Sequence, residues 1–456
     1  MSEIIYENTN GRIINGDNLE VMSEFDDNSV DTCISDFPYD LSFMSKEWDT
    51  TGNFYAWCYD RATALIRILK PGGYAAIFGY PTTNHRMKCA FEDAGFKIVE
   101  EIDWIYGTGM PKSQSISKLF DKAAGESREI VGLYSPPDGI HRNYERFSNT
   151  HNFGVGNSGS IRDSIKAKLI TAPSCAMAKV WDGYNTNGLK PAHEPITIFQ
   201  KPLDGTYIQN LEKWNVGAMN IEACRVPFTC NADKEERAAK CNFTSASDGT
   251  RGYATSDTLY GSGISPLEQA RQLQNVSGRF PPNVILDEIT ANDVDEQSGV
   301  SKSTGGSGKA SRTGRGALVY NAFNSDTNAE YINDSLGGYG DVGGASRYFP
   351  IIKYNTKSSN EERTLPDGSR NPHVTIKPVE LIKWLVKLLT PKGGYTIDIT
   401  AGSCTHAVAC EELNQDSNYG LKWCDIELMN TDKDPYCYVG KMRVGNVIKN
   451  SKKKLF

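Results

Sequence analysis

YTIDITAGSCT, residues 395–405, is the stretch of the chain that decides its fold. Its first half is apolar and predicts a strand over 395–399, and small residues then form a turn before a helix expected over 405–413. A further strand is predicted at 420–426. Strand, turn, helix and strand in this order are typical of a mainly parallel sheet with helices on both faces.

The same alternation occurs on either side of this stretch. Pro378 suits a first helical turn, and apolar residues at helical spacing follow it until Pro391. Near the N-terminus, residues 29–35 have the pattern of a short buried strand, with Asp36 at its carboxyl end. Both ends of the chain therefore have the same alternating pattern of strands and helices.

A helix and a second strand are predicted after Asp36. Apolar residues recur there at helical spacing: Phe54, Trp57, Cys58, Ala62, Leu65, Ile66 and Leu69. The triplet Pro71-Gly72-Gly73 is expected to end this helix before a strand over 74–78. We therefore expect the segments 1–110 and 351–456 to form one split α/β core.

The middle of the chain, residues 111–350, has a different texture. Residues 299–344 are rich in Gly, Ser, Thr and Asn, which predicts an irregular surface loop of a kind that often serves function. Cys224, Cys230 and Cys241 lie close in sequence without a neighbouring histidine, so packed thiols are favoured over a metal site. We expect no metal.

Composition excludes several classes of protein. The 456 residues are 39% hydrophobic and 23% charged, with no apolar run of the length that a membrane span needs. The first residues lack the features of a secretory signal, which predicts a cytoplasmic protein. Eleven scattered cysteines without a CxxC pair predict reduced, mostly buried thiols instead of disulfides.

Charge does not by itself indicate a nucleic-acid partner. A net charge of −7 is a poor match to a polyanion, so any such contact must rely on local clusters of Lys and Arg. Residues 441–456 contain six Lys or Arg and no acid. This basic tail could contact phosphate, or it could be a solvated terminus.

Three sets of residues suggest chemistry at the carboxyl ends of predicted strands, where open α/β sheets bind ligands. Asp36-Phe37-Pro38-Tyr39 offers a carboxylate, fixed carbonyls and a ring, which suit an amine on a stacked base. A simple turn with a packed tyrosine would have the same sequence. The small-residue turn at 398–405 would let a ligand approach the backbone, and Glu427 could accept hydrogen bonds from ribose hydroxyls.

These motifs together resemble the beta class of DNA amino-methyltransferases, in which the catalytic motif precedes the cofactor motif. Several stretches match that class in order: Asn15-Gly16-Asp17 with Ser29-Val30-Asp31, then Asp36-Phe37-Pro38-Tyr39 (DPPY), Leu69-Lys70-Pro71-Gly72-Gly73, His373-Val374-Thr375-Ile376-Lys377-Pro378 (HPTxKP), the turn at 398–405 (DPFxGSGT), and Glu427 with Asp434-Pro435-Tyr436. Stretches at 109–113, 189–195 and 345–349 look like segments of phage and prophage members.

The resemblance implies a Rossmann-like, S-adenosylmethionine-dependent methyltransferase fold with circularly permuted motif order. It also implies that 111–350 holds a large target-recognition insertion together with some core elements. It implies transfer of a methyl group to the exocyclic amine of a flipped base in double-stranded DNA, with adenine N6 favoured over cytosine N4. The implied catalytic residues are Asp36, Phe37, Pro38 and Tyr39. The implied residues for S-adenosylmethionine, or a modified analogue, are Asp17, Thr375, Lys377, Asp398, Ala401, Gly402, Ser403, Thr405 and Glu427. A homodimer is one assembly compatible with this interpretation.

The chain departs from the pattern of the class at several positions. Phe37 replaces the first proline of DPPY, and residues 399, 400 and 406 also differ from the usual ones. Cys404 stands where glycine is usual, which adds bulk near the ligand at a place where φ is expected to be positive. Two alternatives follow: transfer of a different group from an altered donor, or a non-catalytic DNA-binding or anti-restriction protein. An RNA or protein amine is disfavoured as substrate by the large insertion.

Overall fold

Sixteen strands and ten α-helices occur in the part of the chain that the computed structural model describes. The described residues are 2–41, 49–107, 109, 113–133, 169–228, 278–302, 342–352, 363–373, 375–417, 419–429, 431 and 435–454. They belong to two compact units, a core unit (Met1–Thr108 with Ala192–Phe456) and an inserted unit (Gly109–Pro191).

The strands are β1 (Glu3–Glu7), β2 (Gly11–Asn15), β3 (Val30–Asp36), β4 (Leu69–Phe78), β5 (Lys97–Ile105), β6 (Ile130–Leu133), β7 (Leu169–Thr171), β8 (His193–Gln200), β9 (Val226–Pro227), β10 (Gly278–Arg279), β11 (Val284–Asp287), β12 (Ser301–Lys302), β13 (Val342–Gly343), β14 (Ile351–Ile352), β15 (Tyr395–Asp398) and β16 (Lys422–Glu427). The α-helices are α1 (Asn18–Ser23), α2 (Phe54–Ile68), α3 (Asn84–Asp93), α4 (Ile116–Ala123), α5 (Ala176–Val180), α6 (Tyr207–Trp214), α7 (Glu288–Ser298), α8 (Val379–Leu389), α9 (Thr405–Ser417) and α10 (Tyr436–Lys454).

One ten-stranded sheet organises the core unit. Its order is β1-β2-β16-β15-β3-β4-β8-β5-β11-β14. Strand β8 runs antiparallel to both of its neighbours and β1 runs antiparallel to β2, whereas the remaining pairs are parallel. The C-terminal strand β15 lies beside the N-terminal strand β3, with Ile397 opposite Cys33. The predicted α/β fold with a mainly parallel sheet is confirmed, and strands from both ends of the chain pair within this sheet.

Helices cover both faces of this sheet, as the alternating side chains of β4 demonstrate. Ala75 and Ile77 join one hydrophobic cluster with residues of α2 and α3. Tyr74, Ala76 and Phe78 join another, with residues of α8 and α9. Residues 74–78 of β4 form the continuous apolar run that is typical of a strand buried on both faces. The neighbouring strand β3 is buried as well, although it contains Asp31, Thr32 and Ser35.

The predicted elements around the site agree with the structure to within a few residues, with one correction. The triplet Pro71-Gly72-Gly73 is expected from the sequence to end the helix before a strand over 74–78, but it lies inside β4, which begins directly where α2 ends. The pairing of β3 with β4 shifts register across this triplet. Gly72 has φ +80°, and a Cβ on Gly73 would lie 2.8 Å from the carbonyl oxygen of Asp31. The glycines therefore form a bulge within the strand.

Strands of the sheet also come from the middle of the chain. Both β8 and β11 lie within 111–350 and pair with β5 in the core unit. The inserted unit has its own antiparallel pair, β6 with β7, together with helices α4 and α5. Of the predicted loop at 299–344, residues 303–341 lie outside the described part, and β12 pairs with β13 at its ends.

Nine cysteines in the described part are free thiols, and seven of them are buried, which confirms the expected state for these nine. Cys230 and Cys241 lie outside the described residues. No group of three or more metal-binding side chains occurs among the described residues. Within the same residues, no helix combines the length and the apolar character that a membrane crossing requires.

Candidate active site

Asp36 is the last residue of β3, and its backbone is tied to the next strand along the sheet. The hydroxyl of Thr400 donates to the carbonyl oxygen of Asp36 at 2.9 Å. The hydroxyl of Ser35 donates to the Asp398 carboxylate at 2.6 Å. The two motifs found in the sequence, 364 residues apart at this contact, are therefore joined at the carboxyl ends of β3 and β15.

A lysine and a tyrosine hold the Asp36 carboxylate. Lys377 Nζ lies 2.6 Å from Asp36 Oδ2, and the Tyr39 hydroxyl donates to Asp36 Oδ1 at 2.9 Å. A second carboxylate, Glu194 on β8, lies 3.2 Å from Lys377 Nζ and accepts a longer bond from the hydroxyl of Tyr106. Asp36, Tyr39, Glu194 and Lys377 are called the acid–lysine cluster below.

Burial and the neighbouring opposite charges have opposing effects on the pKa values of Asp36 and Lys377. Burial raises the pKa of Asp36, and Glu194 raises it further, whereas Lys377 counteracts both. Burial would lower the pKa of Lys377, but the two carboxylates outweigh it, so the net pKa of Lys377 is raised and the lysine stays protonated. The pKa of Tyr39 is raised by burial and by both acids, so its hydroxyl stays a neutral donor.

Packing fixes the rest of the first motif. The side chain of Phe37 is buried, and its ring meets the ring of Trp57 edge-on at 5.0 Å between centroids. The ring of Tyr39 stacks on Tyr80 at 5.8 Å, and its backbone N–H donates to Asp49. Contacts in the core therefore constrain the backbone at Phe37, where a proline ring would otherwise do so.

The second motif is a tight turn held by a carboxylate. Gly402 has φ +53°, and its N–H donates to Glu427 Oε2 at 2.6 Å. The other oxygen of Glu427 accepts the N–H of Met429 at 2.8 Å. Burial raises the pKa of Glu427 to about 7 although these N–H groups act in the opposite direction. This pair, Glu427 with the turn at Gly402, is called the amide-held site.

Cys404 adopts the left-handed conformation expected at its position, with φ +58°. Its side chain is fully buried against Gly440 of α10, where an added Cβ would overlap the sulfur. Arg443, from the same helix, donates to the carbonyl oxygen of Ser403 at 2.7 Å and to the hydroxyl of Thr405 at 3.0 Å. The C-terminal helix therefore fixes the turn that carries Cys404.

His406 lies beneath the turn in a buried network. Its Nδ1 lies 2.6 Å from Asp425 Oδ1, and its Nε2 lies 3.0 Å from the hydroxyl of Thr396. Asp425 stands directly opposite Asp398 in the sheet. Burial raises the pKa of Asp398, and the neighbouring Asp425 raises it further. His406 thus contacts Asp425 inside the core.

The structure brings most of the predicted site residues to one edge of the sheet. Lys377 was grouped with the cofactor residues in the sequence, but its ammonium lies in the acid–lysine cluster. Asp17 caps α1, and the N–H of its neighbour Gly16 donates to the carbonyl oxygen of Glu427. Thr375 follows His373, whose ring lies against Gly402. Cofactor contacts by Asp17 and Thr375 stay predictions.

Glu194 is the site residue that sequence reasoning did not identify. In the sequence it lies in the stretch 189–195, which resembles segments of phage members and has no further feature that points to chemistry. The available signal was weak: an acid between His193 and Pro195, directly before an apolar run. Its contact with Tyr39 joins residues 155 positions apart.

Comparison with known proteins gives a family match over most of the chain. The model of a family described as DNA methylase matches residues 30–440. The type II methyltransferase M.HindIII of Haemophilus influenzae is 21% identical over 249 residues, which are 46% of this chain and 64% of that protein. The type II methyltransferase M.BamHI of Bacillus amyloliquefaciens is 36% identical over 78 residues, 16% of this chain and 18% of that protein. The chain thus spans less than two thirds of either relative.

Solved structures also match most of the chain, with TM-scores below 0.5. The PvuII DNA methyltransferase (cytosine-N4-specific) is 14% identical, with a TM-score of 0.40 over 99% of this chain and 94% of that one. The complex of M1.HpyAVI with SAM is 11% identical, with a TM-score of 0.34 over 95% of this chain and 99% of that one.

Proposed function

The chain belongs to the DNA methylase family, and from that premise we propose that it transfers a methyl group from S-adenosylmethionine to the exocyclic amine of a base in double-stranded DNA. One observation carries the proposal. The acid–lysine cluster and the amide-held site lie at the carboxyl ends of β3 and β16, separated only by β15. Amine recognition and donor recognition would thus occur side by side.

The residues of the amide-held site fit the proposed donor. Glu427 is an oriented acceptor at a strand end, which suits ribose hydroxyls, and Gly402 lets a ligand approach the backbone. Asp17, Thr375, Asp398, Ala401, Ser403 and Thr405 would complete the binding site. When bound, S-adenosylmethionine supplies an electrophilic methyl group on a sulfonium.

Cys404 gave the main reason to consider an altered donor or a loss of catalysis. Its sulfur, however, packs against Gly440, and the added bulk is accommodated inside the protein. This packing favours the ordinary donor.

The acid–lysine cluster has the properties that amine recognition needs. The Asp36 carboxylate would accept a hydrogen from the base amine, and the carbonyl oxygen of Phe37 would accept the other. Lys377 keeps Asp36 ionised and fixed, and the ring of Tyr39 offers a stacking surface for a base flipped from the duplex. These residues act by positioning and electrostatics, so no covalent enzyme intermediate is needed. Lys377 is accordingly assigned to this cluster.

Adenine N6 is proposed as the preferred acceptor over cytosine N4, because the first motif begins with aspartate. Incubation with labelled S-adenosylmethionine and unmethylated duplex DNA, followed by digestion to nucleosides, tests the proposal. We expect labelled N6-methyladenine. Labelled N4-methylcytosine would refute the adenine preference alone, and label on neither base would refute methyl transfer to DNA amines.

Target recognition is proposed for the parts of 111–350 outside the sheet. The inserted unit supports this because it is a compact unit of its own, with exposed lysines at 118, 122 and 179. Replacing these three by alanine is expected to weaken DNA binding and flatten its salt dependence, with donor binding unchanged. Equal DNA affinity at all salt concentrations would contradict the assignment of this unit.

A further inference from the structure

Glu194 brings a second carboxylate to the lysine that holds Asp36. It lies near the start of β8, opposite Trp104 of β5, and its side chain is 17% exposed. Its Oε2 lies 3.2 Å from Lys377 Nζ and 3.2 Å from the Tyr39 hydroxyl. Because the Tyr39 hydroxyl has one hydrogen, it can donate to Glu194 or to Asp36 at any moment, which couples the two acids.

The charges of this cluster do not cancel. Lys377 alone with Asp36 would form a neutral pair, whereas Lys377 shared between Asp36 and Glu194 leaves one net negative charge. In the proposed transfer, the amine nitrogen would form a bond to the methyl carbon as the S–CH₃ bond of the donor breaks, and the donor would leave as a neutral thioether. The nitrogen would be positively charged until it releases a proton to water. Preorganised negative charge in a buried site stabilises such a developing positive charge strongly, because the local dielectric constant is low.

We propose that Glu194 is a positioning residue for methyl transfer, which shares Lys377 with Asp36 and thereby keeps the cluster net negative around the substrate amine. The proposal rests on the proposed function, since it assumes an amine as acceptor. Glu194 acts through Lys377 and Asp36 and need not touch the base itself. Its charge is therefore expected to matter more than its shape.

Two substitutions separate charge from shape. Glu194→Gln keeps the size and most of the hydrogen-bonding capacity but removes the negative charge, whereas Glu194→Asp keeps the charge and shortens the side chain. Glu101→Gln is a matched control. Glu101 lies on the neighbouring strand β5, forms an ion pair with Lys88 and accepts a bond from Thr197 of β8, outside the acid–lysine cluster.

The measurements are single-turnover methylation of unmethylated duplex DNA and equilibrium binding of S-adenosylmethionine. We expect Glu194→Gln to lower the single-turnover rate at least about tenfold, with donor affinity within twofold of that of the unchanged protein. Glu194→Asp should retain more of the rate than Glu194→Gln, and Glu101→Gln should retain nearly all of it. An unchanged rate in Glu194→Gln, or a lower rate in Glu194→Asp than in Glu194→Gln, would overturn the proposal.

The pH profile adds a readout that a purely structural role would not move. Glu194 raises the pKa of Asp36, so its neutralisation should lower that pKa. Because Asp36 must be ionised to accept a hydrogen, the acid limb of the rate should move to lower pH in Glu194→Gln. An unmoved limb would argue against the coupling. If the unchanged protein transfers no label to DNA, the proposed function itself fails. If the unchanged protein is active and the Glu194 variants have the same rate and pH profile, only this inference is refuted.

Discussion

Asp36 and Glu427 end two strands of the same sheet, but different groups stabilise their charges. Asp36 is balanced by the ammonium of Lys377, whereas Glu427 is held by the N–H groups of Gly402 and Met429. The ammonium of Lys377 counteracts the rise that burial causes in the pKa of Asp36, whereas the N–H groups counteract that rise at Glu427, whose pKa is nevertheless about 7. This difference supports the proposed roles, charge-dependent chemistry for Asp36 and binding of neutral hydroxyls for Glu427.

Substitution of Asp36, which removes one carboxylate from the acid–lysine cluster, should have the largest effect on the rate of methyl transfer. In Asp36→Ala, the acceptor for the amine disappears and Lys377 pairs with Glu194 alone. We expect the rate of methyl transfer to fall at least about 1000-fold, because both acceptor and orientation are lost. Donor affinity, measured by titration calorimetry, should stay within about threefold of that of the unchanged protein, because the amide-held site is left intact.

Asp93→Ala is the control for the Asp36 substitution. Asp93 is an exposed carboxylate at the end of α3 that accepts a bond from the hydroxyl of Tyr55. This variant should keep its full rate. An Asp36→Ala protein with a rate within tenfold of the unchanged protein would remove Asp36 from the mechanism.

Substitution of Glu427 should lower donor affinity more than the rate of methyl transfer, the opposite of what is expected for Asp36. Glutamine has one oxygen where Glu427 uses two, so the N–H of Gly402 or of Met429 would face an NH₂ group. We expect donor affinity in Glu427→Gln to fall about 10- to 100-fold, with a smaller change in rate at saturating donor. Titration calorimetry and rate measurements at several donor concentrations separate the two effects.

Glu411→Gln is the control for Glu427→Gln. Glu411 is also buried and lies on α9, where it accepts the indole N–H of Trp423 of β16 at 2.9 Å. Its substitution should lower stability without changing donor affinity. Equal donor affinities in Glu427→Gln and Glu411→Gln would show that Glu427 does not bind the donor.

The sequence predicted the two sites unequally, for a physical reason. Asp398, Gly402 and Glu427 lie within one strand–turn–helix–strand unit, so local periodicity was enough to place them together. The acid–lysine cluster depends on Lys377, which is 341 residues from Asp36, and on β8, an antiparallel strand inserted between β4 and β5. Local periodicity does not determine which strand lies next to which.

Local sequence patterns also did not predict the side-chain contacts of Cys404. Its positive φ could be expected because glycine is usual at that position in the family. The fit of its side chain against Gly440 could not be predicted, because this contact forms only when α10 packs against the turn before α9. Phe37 is similar: the loss of a proline was visible in the sequence, but the contact with Trp57 that constrains Phe37 was not.

The raised pKa of Glu427 should also make the stability of the protein depend on pH. Burial raises the pKa of Glu427 from 4.5 to about 7 in the folded protein. The stabilising contribution of this raised pKa is fully present below the unfolded pKa of 4.5 and is lost as the pH rises through about 7. We expect the free energy of unfolding without donor to fall between pH 5 and pH 8, by on the order of 2 kcal/mol from Glu427.

Urea unfolding at several pH values measures this slope. Glu427→Gln cannot titrate at this position and should flatten the slope. A slope of the same size in Glu427→Gln would assign the effect to other groups, such as Asp398, whose pKa is raised by burial and by Asp425.

The smallest expected effect concerns the packing behind the amide-held site. A Cβ on Gly440 would overlap the sulfur of Cys404 and lie 3.3 Å from Ile13 Cδ1. We expect Gly440→Ala to lower the free energy of unfolding by about 1–3 kcal/mol, as overpacked cores do. Donor affinity should fall with it, because Cys404 is part of the turn that begins at Gly402. Chemical denaturation and titration calorimetry measure the two changes.

Gly445, on the same helix, provides the matched control. A Cβ there meets no atom within 4 Å, so Gly445→Ala should raise stability by up to about 1 kcal/mol through helix propensity alone. Adding Cys404→Gly to Gly440→Ala removes the obstructing side chain, and φ +58° is favourable for glycine. Stability and donor affinity should recover together in the double variant. Recovery of stability without donor affinity would mean that α10 supports the fold of the turn but not its binding function.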